Sequence, residues 1–162
     1  MSESTRKIVL GLGNILNRDE GLGVHALNRL QAELGDRAGD LELLDGGVLG
    51  LDLLPLVEQA SHLLVLDAID DRQEPGALIE LGREEIPLYA GVKLSQHQVT
   101  FQEVLGLANM RGKLPPYLHL VGVQPADLSI GLELSPRVTA VLPQVIERAT
   151  TVLRAWNLLA AA

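Results

Sequence analysis

The stretch Lys7–Leu12, KIVLGL, is apolar at every position after its first residue and shows no alternation of polar and apolar side chains. A strand of this kind must be covered on both faces, the environment of a strand inside a parallel sheet flanked by helices. The period then changes. Val24, Leu27, Leu30 and Leu34 recur at helical spacing, with Asn28, Arg29 and Glu33 between them, until Gly35 stops the helix. The alternation continues along the chain. Asp40–Leu44 reads as a strand closing on the DGG of Asp45–Gly47, and Leu49–Ala60 as a helix despite Pro55. His62–Leu66 reads as a strand ending at Asp67, and Ala77–Leu81 as an edge strand. A helix over Gln98–Asn109 and a strand over Tyr117–Val123 follow. The last helix runs from Ser135 and Pro136 to about Leu158, with Ser a good N-cap and Pro lossless at the first helical position. Strands alternating with helices predict an α/β fold: a single three-layer sandwich, with a mostly parallel central sheet and helices on both faces. At 162 residues the chain forms one domain, 1–162.

Composition narrows the function classes. Aromatic residues are only 2% of the chain, so Leu, Val, Ile and Ala must build the core. The absence of cysteine removes disulfides, thiolate metal sites and a cysteine nucleophile. A formal net charge of −8 argues against nucleic acid and anionic membrane surfaces as partners, because phosphate contacts need Lys and Arg. The opening MSESTRK is polar and leads directly into a strand, unlike a secretory signal. No segment reaches the uninterrupted run of about 20 apolar residues that a membrane-spanning helix needs. The expectation is a cytoplasmic protein with no membrane association.

In a doubly wound sheet, sites lie beyond the C-terminal ends of the strands. Three such ends carry acids: Asp19 and Glu20 after the first, Asp45 after the second and Asp67 after the third. Adjacent in sequence, Asp19 and Glu20 cannot share a helix face; one is expected to cap the following helix, the commoner role, and the other to point into the site. Asp67 ends a run, HLLVLD, that should be buried. An acid there either accepts loop amide hydrogen bonds or binds something. Among four histidines, His25 is expected on the solvated face of its helix, His62 at the surface, and His119 in the core or on a sheet face. His97, where an irregular segment meets a helix start, is best placed to project into a cleft. Glu20, Asp67 and His97 together would offer two carboxylates and an imidazole, a set suited to a borderline divalent metal.

Two other chemistries have weaker support. Gly11-Leu12-Gly13 follows the first strand as in a dinucleotide fingerprint, with Asp45 closing the second, but the third glycine position is Leu16. A small nucleotide-binding module therefore stands as the rival reading. No phosphate-binding G-x-x-x-x-G-K-[ST] and no G-x-S-x-G nucleophile elbow is present.

Six segments in order, GLGNILNRDEGLG (11–23), LDGG (44–47), LDAID (66–70), SQHQ (95–98), VGVQP (121–125) and GLELSPRV (131–138), closely resemble those of the hydrogenase maturation endopeptidases. The resemblance runs from about Lys7 to Leu153, and the first block with the D-G-G and the S-x-H-Q is its specific part. It implies an α/β sandwich. It implies that Glu20, Asp67 and His97 contact a metal, and that Asp45, the acid of the D-G-G motif, serves catalysis with Glu20 and Asp67. It implies a monomeric endopeptidase that removes the C-terminal extension of a nickel–iron hydrogenase large-subunit precursor after nickel insertion. The nickel would then arrive with the precursor, the resting protein keeping no permanent metal. A metal-binding chaperone that docks the same precursor without cutting it is the alternative.

Overall fold

Five strands form one sheet in the order β2-β1-β3-β5-β4. They are β1 (Arg6–Leu12), β2 (Glu42–Gly47), β3 (Ala60–Ala68), β4 (Leu78–Gly82) and β5 (Tyr117–Val123). The computed structural model describes residues 5–87 and 100–161. β1 runs parallel to β2 and β3, β3 runs parallel to β5, and only the edge strand β4 is antiparallel. Among the described residues, four α-helices accompany the sheet: α1 (Leu22–Leu34), α2 (Leu54–Gln59), α3 (Phe101–Met110) and α4 (Pro136–Ala155).

The strands' apolar runs are explained by where alternate residues go. Val9, Leu64, Leu66, Val121 and Val123 pack with α1 and α4 on one face. Ile8, Leu10, Leu63, Val65 and Leu120 pack with α2 and α3 on the other. Each strand feeds two cores, so neither face tolerates polar alternation. The result is the expected three-layer sandwich.

Several boundaries differ from those read in the sequence. The helix expected over Leu49–Ala60 is a short 3₁₀ turn, Gly50–Leu53, followed by α2, and Ala60 already belongs to β3, paired with Arg6. Pro55 decides this, because its ring is tolerated only in the first turn of an α-helix, which is where it sits. β2 starts two residues later than expected and runs through the DGG, with Asp45 opposite Gly11. The last helix ends at Ala155, where Asn157 takes a left-handed conformation at φ 60°. The helix expected from Gln98 is observed from Phe101; Gln98 and Val99 lie outside the described residues. Among the described residues, no helix is long and apolar enough to cross a membrane.

Connectivity places the site. The chain steps from β1 outward to β2 and then crosses back over β1 to reach β3. α1 and α2 therefore leave on opposite faces, and a crevice opens beyond the C-terminal ends of β1 and β3.

Candidate active site

That crevice is an open cleft of about 330 Å³. Its walls are the ends of three strands, with Gly13 after β1, Gly47 at the end of β2 and Val48 just after it, and Asp67 and Ala68 from β3. Glu20 enters from the loop before α1, and Thr100, Phe101 and Gln102 from the start of α3. Thr100 caps that helix: its hydroxyl accepts from the Glu103 amide while the Glu103 carboxylate accepts from the Thr100 amide. Two of the expected site residues, Glu20 and Asp67, are thus brought to one cleft from segments 47 residues apart (67 less 20). His97 lies outside the described residues.

The Asp67 carboxyl is pushed up to about 7. Burial penalises its charged form most; the Ala68 amide donates to it and pulls the other way, while the negative charge of Glu20 raises it further. Two acids held so that one resists ionisation form a place where a cation is favoured.

Asp19 has a different task. The N-cap of α1 is Gly21, with no side-chain hydrogen bond, so neither acid caps the helix as expected. Asp19 is wholly buried. Its carboxylate accepts from the amides of Ala126 and Asp127 at 2.9 Å, and from the amide and hydroxyl of Ser135 at 2.7 Å. Burial alone would raise this carboxyl, but those donors hold it below the usual carboxylate range. Asp19 thereby fixes the loop carrying Glu20 to a loop more than 100 residues later. The pairing is extended by Arg18 N donating to Gly131 O and Gly131 N donating to Leu16 O.

The glycines of the first block serve packing. Gly13 adopts φ 122°, and a Cβ there would overlap the Glu20 carbonyl. A Cβ on Gly23 would overlap the carbonyl oxygens of Leu12 and Leu66, so this glycine lets the start of α1 lie directly on the sheet. These glycines are accounted for by backbone packing, which needs no phosphate.

Asp45 is not among the residues lining the cleft. It is exposed, and its Oδ1 accepts from the Gly47 amide at 2.8 Å, closing the turn that carries Gly47 and Val48 to the lip.

Gln124 was not singled out by sequence reasoning. It is buried; its Oε1 accepts from the amides of Asp71 and Gln73, and its Nε2 donates to Asp70 Oδ1, holding the loop after β3. The polar Gln after the apolar run of β5 was the available signal.

The remaining histidines lie away from the cleft lining. His25 is half-buried rather than solvated, and its Nε2 has no hydrogen-bond partner among the described residues. His62 is not simply a surface residue: it stacks on Tyr117 at 4.3 Å with Trp156 edge-on. His119 is a sheet-face residue, 2.7 Å from Glu80, which also pairs with Arg148.

Residues 24–152 match the family model described as hydrogenase maturation protease. Among similar proteins, the hydrogenase expression/formation protein HupD of Rhodobacter capsulatus is 40% identical over 155 residues, covering 94% of this chain and 73% of its own. The hydrogenase 2 maturation protease of Escherichia coli is 37% identical over 152 residues, covering 92% and 91%. The solved structure of the hydrogenase maturating endopeptidase HybD from E. coli superposes with a TM-score of 0.81 at 35% identity, covering 93% of each chain. With fold and sequence in agreement, the chain belongs to the hydrogenase maturation protease family.

Proposed function

We propose that this protein is the endopeptidase that removes the C-terminal extension of a nickel–iron hydrogenase large-subunit precursor once nickel has been inserted. The observation that carries the reading is the convergence of Glu20 and Asp67 on the switch-point cleft, with Asp67 pushed up to about 7. His97, assigned as the third ligand by the resemblance of its SQHQ segment, would complete a two-carboxylate, one-imidazole set for a borderline divalent metal. The nickel is part of the substrate, and the resting protein keeps none of its own. A precursor without nickel lacks these bonds and docks less tightly, so discrimination is a difference in affinity between two states of one partner.

Bound this way, the nickel lies against the chain to be cut. Water would attack the scissile carbonyl, with the substrate's nickel available to polarise that carbonyl or acidify the water, and a carboxylate would accept the water's proton and pass it to the amine that leaves as the C–N bond breaks. Asp45 holds the lip through Gly47 and so shapes the entrance for the precursor's tail.

The test is processing of nickel-loaded precursor by Glu20→Gln and His97→Ala. Both variants are expected to lose cleavage while keeping the wild-type circular dichroism and melting transition. Retained cleavage by either removes that residue from the mechanism. Wild-type protein that binds loaded precursor and never cuts it would make the protein a chaperone.

A further inference from the structure

Eleven large apolar side chains are exposed among the described residues, and eight of them lie on the loop that carries Glu20 into the cleft, on the loop bonded to it, or on the turn whose Gly47 and Val48 line the cleft. Ile15 and Leu16 project from the loop between Gly13 and Glu20; Leu128, Ile130 and Leu132 project from the loop bonded to it. A second lip is formed by Val48, Leu49 and Leu51, around the turn whose Gly47 and Val48 line the cleft. Scattered single apolar residues need no explanation, but a contiguous cluster does.

The first lip is also built. Asn17 bridges to Gly131, and Asn17 Nδ2 donates to Leu128 O. The buried Asp19 carboxylate ties both loops together one residue from Glu20. Ile130 is 87% exposed and Leu132 64% exposed. Neither contributes to the core, so their display has a cost in water and no intramolecular return.

We infer that these two apolar lips are the docking surface for the folded body of the precursor, gripping the apolar face around the root of the tail that enters the cleft. This rests on the function proposed above and adds a second recognition element to it. Both lips are continuous with the cleft, since Val48 is part of its lining and the other lip is tied through Asp19 to the residue beside Glu20, so a precursor whose tail enters the cleft brings its body against apolar surface that can be desolvated on docking. Because Asp19 holds the patch at a fixed distance from Glu20, docking on the lips sets where the precursor's metal arrives. The lips touch protein and not metal, so they contribute equally to nickel-loaded and nickel-free precursor.

The test is calorimetric binding of full-length precursor, loaded and nickel-free, to wild type, to the Ile130→Ser/Leu132→Ser double variant, and to Met110→Ser. Met110 is 71% exposed, on α3. The double variant is expected to weaken binding of both precursor forms by about tenfold, and to raise the half-saturating precursor concentration for cleavage without changing the rate at saturation. Met110→Ser is expected to change neither. Unchanged affinity of the double variant, or a loss confined to the loaded form, overturns the inference. So does wild type sedimenting as a dimer that the double variant dissolves, with precursor affinity unaltered; the lips would then serve self-association. Binding is read directly, so the inference is decided even if wild type cuts nothing, an outcome that would sink the proposed function alone.

Discussion

Three acids within reach of one loop do three different things, and their environments explain the division. Asp67 has the Ala68 amide as a donor, too little to balance its burial and the charge of Glu20, so its folded form holds a proton to about pH 7 against 3.8 for the free side chain. Between those values the folded state binds a proton that the unfolded state has released, so stability falls as pH rises from about 4 to 7 and is flat above. The full effect is about 4 kcal/mol at most. Asp67→Asn is therefore expected to melt higher than wild type at pH 8, with the gain shrinking toward pH 5. Equal melting of the two at pH 8 would mean the acid carries no such burden. Asp19 behaves oppositely. Its carboxyl is held below the usual range by four donors, so its stabilisation is present above about pH 4 and fades as pH falls through its depressed value. Asp19→Ala strands buried donors and is expected to cost roughly 3 kcal/mol in denaturant titration; a cost under about 1 kcal/mol would show that the loop is not anchored there. Asp45 is expected to act through the Gly47 amide. Asp45→Asn keeps an acceptor oxygen and should process precursor at close to the wild-type rate, whereas a loss of about a hundredfold or more would return its charge to the chemistry.

At the scale of elements, the start of α1 is the critical joint. Gly23 lets the helix lie on the carbonyls of Leu12 and Leu66, the ends of the two strands that flank the crevice. Gly23→Ala is expected to cost about 3 kcal/mol, because backbone on both sides must shift; a well-folded variant with wild-type stability would contradict this packing. Strand and helix identities were legible because hydrophobic period changes sharply between KIVLGL and the Val24–Leu34 stripe. Boundaries were less so. Pro55 read as a tolerated interruption, yet it sets where α2 begins, and the DGG read as a stop, yet it is the last part of β2. The capping role expected for Asp19 or Glu20 failed for a non-local reason: the donors that claim Asp19 sit at Ala126, Asp127 and Ser135, and no local pattern announces a bond across more than 100 residues.

For the whole molecule, the strand order 2-1-3-5-4 is what turns scattered acids into a site. Glu20 and Asp67 were legible as candidates because each follows a strand expected to be parallel and buried, and the crossover between β2 and β3 brings those ends together. The apolar lips were not legible, since Ile130 and Leu132 look like ordinary loop residues until Gly131 is seen bonded to Leu16. The opposite end of the sheet carries the His62–Tyr117–Trp156 stack, remote in topology from the strand ends that bear the acids. The central claim is that this cleft reads a metal carried by its substrate. The most direct measurement is the intact mass of a cognate large-subunit precursor incubated with the protein, once loaded with nickel and once without. Loss of a single C-terminal peptide from the loaded form, with the nickel-free form left whole, is the expected result. Equal cleavage of both forms, or no cleavage of the loaded one, would contradict the account.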